Sequence, residues 1–248
     1  MYKDVLKKYL QNFKLLVPFI LVKLAYEITT FEATNSTIGT DKYSVITQGA
    51  AHPGNVGTSI LNNIVMLLIT LFAAPLFYGF LQLVIKSIIK EKEVSYKESF
   101  RESLRFYLRY LGLTIIIIAI IIGILLLSIF AIALPIILIG VFILLIYVII
   151  TIAPCESYLI YHDTSPEEAL SKGRVLGKKY FWYILLVSLI SGVITFIMKI
   201  KPSTGLLTYS IVTLITTIIE FYMSVFTMDI CRKEDPILED SGQLTIDN

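Results

Sequence analysis

Between residues 111 and 155 the chain carries no Asp, Glu, Lys, Arg or His. As a single helix those 45 residues would extend roughly 68 Å at 1.5 Å per residue, about twice the ~30 Å hydrocarbon thickness of a bilayer. The stretch therefore reads as two membrane spans with a turn between them. Pro135 supplies the break, because proline disfavours helical geometry in the residue before it. The run is continuously apolar rather than alternating, which argues against a barrel strand. Composition points the same way: 56% apolar, 16% charged and a mean hydropathy of +0.79, against about 45–50% and 25% for soluble domains. These values exclude a disordered chain, a nucleic-acid-binding domain and an ordinary soluble enzyme.

The same logic predicts further spans at 13–30, 59–85, 180–198 and 205–230, beside 111–132 and 135–160. Pro75 and Gly79 are expected to bend the second span. Backbone groups in lipid must be satisfied internally, which makes each span a helix. The basic residues set the orientation. With the N-terminus inside, inner segments hold 17 Lys and Arg and outer segments hold 3, Lys42, Lys199 and Lys201, with Lys23 inside a span. The expectation is an all-α integral membrane protein with six transmembrane helices over 1–230 and both termini cytoplasmic. Its Lys- and Ile-rich usage suggests the plasma membrane of a prokaryote. The N-terminal stretch, interrupted by Lys23 and followed by no small-residue cleavage pattern, reads as mature protein. Residues 31–58 read as a flexible outer loop, in which the Asn35-Ser36-Thr37 triplet is a chance sequon, and 231–248 as a cytoplasmic tail.

The inner segments also repeat. MYKDVLKKYLQNF, SYKESFRESLRFYLRYL and SPEEALSKGRVLGKKYF each precede a pair of spans. Tyr2, Lys3 and Asp4 align with Tyr96, Lys97 and Glu98, and Ser95, Glu98 and Tyr110 with Ser165, Glu168 and Tyr180. The offsets are 94 and 70, a difference accounted for by one insertion of 24 residues in the outer loop. The repeats are then about 1–89, 94–160 and 165–230, each an interfacial amphipathic helix plus a helical hairpin. Ser95-x-x-Glu98 and Ser165-x-x-Glu168 are capping boxes, and Pro166 suits a first helical position. Phe100, Leu104, Tyr107, Leu108 and Leu111 share one face. Lys97, Arg101, Arg105 and Arg109 descend its flank, a pattern suited to the headgroup layer. Each base near an anionic surface contributes about 1 kcal/mol. The expected partners are anionic lipid headgroups and a membrane protein, not nucleic acid.

The third segment, Ser165-Pro166-Glu167-Glu168-Ala169-Leu170-Ser171-Lys172 followed by Gly173 and Leu176-Gly177-Lys178, enters Tyr180-Phe181-Trp182-Tyr183. This run resembles a signature of prokaryotic multispan membrane proteins of unknown function, similar to the membrane region attached to some glycerophosphodiester phosphodiesterases. The helix 96–110 resembles the matching upstream segment, so the similarity covers about 90–200. The resemblance implies a six-helix membrane domain. It carries no activity, since the phosphodiesterase chemistry belongs to a separate soluble domain.

Ionisable residues inside spans are costly and usually face a bundle interior or a cavity. Lys23 lies about 13 Å of helix beyond Lys14, and Glu220 about 15 Å from Ile230. Both fall near mid-depth, so they are expected to pair across spans one and six, gating a polar path or fixing register. The plainer alternatives are a snorkelling lysine and a protonated core acid. Glu156 follows Pro154, which deprives the Ile150 carbonyl of its helical donor. A broken helix beside an acid can form a substrate or cation site, although Arg109 or Lys86 is the expected partner. Ser188 and Gly192 are expected to mark a close helix contact. Cys155 and Cys231 read as inert packing residues. No nucleophile–base pair, phosphate loop, dinucleotide turn or metal motif is visible, so no catalytic residue, metal or cofactor is predicted. The sequence favours a non-catalytic protein that organises partners or lipids at the cytoplasmic leaflet. Its alternatives are a small transporter or channel with Lys23, Glu156 and Glu220 on the path, and a membrane subunit of a lipid-handling enzyme.

Overall fold

The computed structural model describes residues 2–47, 54–131, 135–200 and 206–234. Those residues form nine α-helices and no strand: α1 (Tyr2–Gln11), α2 (Phe13–Thr47), α3 (Gly54–Ile89), α4 (Tyr96–Ala131), α5 (Pro135–Ile152), α6 (Cys155–His162), α7 (Pro166–Lys179), α8 (Phe181–Ile200) and α9 (Leu206–Glu234). Among the described residues four stretches are long and apolar enough to cross a membrane: Leu71–Ile89, Tyr96–Ser128, Ile137–His162 and Leu206–Glu234. A fifth arises if α7 and α8, which meet at 82°, count as one bent span. α2 is not among the four; Lys14, Lys23 and Glu27 all fall within its first eighteen residues.

Six helices, α2, α3, α4, α5, α8 and α9, pack in chain order, and the ring closes where α9 meets α2. α6 lies against α3, α4, α7 and α9, and α1 rests on α2 and α9. Residues 81–85, 157–161 and 225–231 are buried throughout, so the core gathers where α3, α6 and α9 meet. The outer faces of α4 and α5 are apolar and exposed, including Ile115, Ile118, Ile122, Ile139, Phe142 and Ile143. An apolar face of that extent is not sustained in water and suits lipid.

The helix ends follow their local chemistry. The Ser165 hydroxyl accepts from the Glu168 backbone N–H at 3.3 Å, with Pro166 in the first turn. Ser95 does the same for Glu98 at 3.5 Å. Pro154 has no N–H to offer, and the chain breaks there between α5 and α6.

Four elements differ from the sequence expectation. Residues 96–110 are not a separate interfacial helix; they run without a break into the span as α4, since no proline or glycine separates Tyr96 from Leu111. Much of the expected 31–58 loop is helical, because α2 continues to Thr47 and α3 begins at Gly54. Extending a nucleated helix costs far less than starting one. Residues 48–53, like the tail beyond Glu234, lie outside the described residues. The close helix contact is not at Ser188 and Gly192, where a Cβ on Gly192 would meet nothing within 4 Å. It lies instead at Gly173 and Gly177 of α7, which press on Cys155 and Thr151 beside the Pro154 break. Finally, Arg109 and Lys86 do not reach Glu156, for reasons given below.

Candidate functional site

α9 carries a polar stripe at helical spacing: Thr213, Thr217, Glu220, Ser224 and Thr227. Steps of three and four place them on one face, and Thr213, Thr217 and Thr227 are buried. Glu220 sits at the midpoint of the helix. Across from it α2 presents Lys23, and α3 presents Tyr78 and Gln82, one turn apart.

Lys23 Nζ donates to Glu220 Oε2 and, at 3.0 Å, to the Tyr78 hydroxyl. The Tyr78 hydroxyl in turn donates to Glu220 Oε1 at 2.8 Å. The three side chains thus form a closed cycle in which both carboxylate oxygens are engaged. Lys23 is 14% exposed and Glu220 41% exposed. The asymmetry has a local cause: Glu220 lines a cavity of about 320 Å³ together with Tyr78, Gln82, Glu156, Ser224 and Thr227.

Glu156 enters that cavity from the first turn of α6. The Tyr110 hydroxyl of α4 donates to its Oε2 at 2.5 Å. Tyr110 is its only hydrogen-bond partner among the described residues, and no base forms an ion pair with it. Arg109 binds Asp163 at 2.6 Å instead. Successive helical residues point about 100° apart, so once Tyr110 faces inward its neighbour cannot. Lys86 Nζ donates at 2.7 Å to the Ile160 carbonyl, an acceptor in the last turn of α6 with no intrahelical donor of its own. Below Glu156, Ser157 shares a 2.7 Å hydrogen bond with Thr227 and donates to Gln82 Oε1 at 3.4 Å.

A second cavity, of about 270 Å³, lies on the far side of Tyr78 and is lined by Lys23, Tyr26, Glu27 and Phe77. Further along α9, Tyr209 donates to Glu27 Oε2 at 3.3 Å. Polar groups therefore line much of α9, from Tyr209 to Thr227. A third cavity, of about 210 Å³, opens from Glu156 between α4 and α5 among aliphatic side chains.

The structure thus brings Lys23, Glu220 and Glu156 to one region. It does not bring Lys97, Arg101 or Arg105 there; all three are exposed and form no ion pair among the described residues. Cys155 and Cys231 are buried and form no disulfide among the described residues. Among the described residues no three His, Cys, Asp or Glu side chains come together as metal ligands. Sequence reasoning missed Tyr78, Gln82 and Tyr110. A signal for two of them was present, since Tyr78, Gln82 and Lys86 recur every four residues in the otherwise apolar stretch 71–86. No family model, curated protein or solved structure matches the chain.

Proposed function

We propose that the chain is a six-span, multi-pass protein of a prokaryotic plasma membrane, with both termini cytoplasmic, that passes a polar solute through its bundle. The observation that carries this reading is the cavity that Glu156 and Glu220 share in the ring interior. Carboxylates inside an apolar bundle are retained where they contact a pathway, and a helix broken beside one of them is a recurrent feature of transport sites. Lys23 and Tyr78 fix Glu220 at mid-length, while Glu156 keeps no basic partner.

Three repeats remain part of this reading. Positions related by the offsets of 94 and 70 are Val5, Ser99 and Ala169, then Tyr9, Ser103 and Gly173, and all six are buried. Matching burial at matching positions supports a common packing role for α1, the start of α4, and α7. The resemblance to the membrane region attached to some glycerophosphodiester phosphodiesterases agrees with this arrangement and assigns no chemistry.

The test uses purified protein in proteoliposomes that enclose a pH-sensitive dye and are challenged with gradients of small cations and polar solutes. Flux above protein-free vesicles is expected, falling at least tenfold in E220Q and in E156Q. If no solute moves faster than through protein-free vesicles, the transport reading is lost.

A second reading, an organiser of lipids or partners at the cytoplasmic leaflet, is favoured by a different observation. Lys97, Arg101 and Arg105 stand exposed beside exposed Phe100, Leu104 and Leu108, a mixed face that fits an anionic headgroup layer. Native mass spectrometry of protein released gently from its membrane decides it. Retained anionic lipid or a defined partner, lost in K97Q/R101Q/R105Q, supports the reading; equal retention by the variant removes it.

A further inference from the structure

Glu156 stands where two unlike cavities meet. On one side is the space of about 320 Å³ walled by the oxygen-bearing side chains Tyr78, Gln82, Glu220, Ser224 and Thr227. On the other is the space of about 210 Å³ between α4 and α5, walled by Ile117, Ile121, Val148, Ile149 and Ile152. Ala153 and Glu156 line both, so the two spaces adjoin at these side chains. Ile149 is half exposed on the outer face of the bundle, which opens the aliphatic side toward lipid.

The charges at the junction are unequal. Glu220 is neutralised by Lys23. Among the described residues no base lines the polar cavity, and the sole partner of Glu156 is the neutral Tyr110 hydroxyl. Gln82, 4% exposed, also lines this space. Its amide oxygen accepts from Ser157 at 3.4 Å, and its amide nitrogen has no acceptor among the described residues. The site therefore offers a carboxylate without a base, a polar wall, aromatic hydroxyls on two sides and an adjoining aliphatic slot.

We infer that the paired cavity at Glu156 binds an amphipathic organic cation, with its ammonium head against the Glu156 carboxylate and a short alkyl tail between α4 and α5. The chemistry selects this class over others. An anion would meet a carboxylate with no compensating base. A bare metal ion would leave the aliphatic slot empty. A neutral apolar molecule would bury the Glu156 charge without a counterion, at a cost in affinity. The inference rests on the transport reading for its purpose, but binding at equilibrium is measured separately from flux.

The experiment measures saturable binding of n-hexylammonium to the full-length protein in nanodiscs of neutral lipid, with empty nanodiscs subtracted. Methylammonium tests the tail, and hexanoate, of similar length and opposite charge, tests the head. Hexylammonium is expected to bind saturably, methylammonium at least tenfold more weakly, and hexanoate not at all. E156Q should bind hexylammonium at least tenfold more weakly. I121F, which fills the aliphatic slot, should weaken hexylammonium at least fivefold and leave methylammonium unchanged. Hexanoate binding as well as hexylammonium, or E156Q binding like wild type with an unchanged elution profile and helical circular dichroism, overturns the proposal. If E156Q does not fold, I121F decides it: equal loss for both amines, or none for either, removes the slot. Binding without flux keeps this site and removes the transport reading. Flux of another solute without amine binding does the reverse.

Discussion

A Cβ placed on Gly177 would lie 2.1 Å from the carbonyl oxygen of Thr151. No real side chain tolerates that approach, so α7 reaches the end of α5 only because position 177 is glycine. Gly173, one turn earlier, does the same against the Cα of Cys155 at 2.6 Å. Both contacts are with backbone, which cannot rotate away. Overpacking of this kind typically costs about 1–3 kcal/mol. G173A and G177A should each lower the thermal midpoint of the detergent-solubilised protein by several degrees. G192A, with nothing within 4 Å of the new methyl, should not lower it, since alanine favours a helix interior over glycine.

The Tyr110–Glu156 hydrogen bond is the anchor of the unpaired acid. Removing the hydroxyl leaves a buried carboxyl without its donor, a loss of about 1–3 kcal/mol. Y110F and E156Q should therefore couple in a double-mutant cycle, with an interaction term of at least 0.5 kcal/mol, the scale expected of contacting residues. Additive effects would show that the two side chains do not act together.

Lys23 and Glu220 should be less tolerant of single changes than of a joint one. Removing one partner of a buried pair costs roughly 3–5 kcal/mol. The lower end applies here, because Glu220 keeps 41% of its side-chain exposure. K23E and E220K should each express poorly, and K23E/E220K should recover folded protein above either single variant by size-exclusion yield. No recovery in the double variant would remove the pair as a structural element.

Outside the spans, Lys8 donates to Glu91 at 2.9 Å and ties α1 to the turn between α3 and α4. That hydrogen bond, reinforced by the lysine charge, holds the Glu91 carboxyl below the usual carboxylate range. A depressed folded value means the contribution is present above the unfolded value, about 4.3, and is lost as pH falls through the folded one. The Glu91 carboxylate is largely exposed, so the effect is small. The thermal midpoint of K8M should fall below wild type at pH 7, and the gap should close toward pH 3. A gap that persists at pH 3 would assign the effect to packing rather than charge.

Much of this arrangement can be traced to particular residues in the sequence. The uncharged run 111–155 demands two helices, and Pro154 accounts for the break between α5 and α6. The similar depths of Lys23 and Glu220 anticipate a contact that the structure contains. The partner of Glu156 was not legible, because Arg109 and Tyr110 are adjacent and nothing local says which of them faces the ring interior. The glycine contact was equally ambiguous. Ser188 and Gly192 have the same spacing as Gly173 and Gly177, and only the approach of α7 to the kinked chain distinguishes them. The continuity of α4 was obscured by its change of character from basic to aliphatic at Tyr110, a change in environment rather than in backbone geometry.

That continuity has a mechanical consequence. Lys97 and Tyr110 belong to one unbroken helix, separated by about 20 Å of axial rise. No hinge lies between them to absorb a movement. Any tilt of the basic end is also a displacement of the hydroxyl that grips Glu156. The rod therefore makes the geometry of the acid answerable to the position of a surface about four turns away.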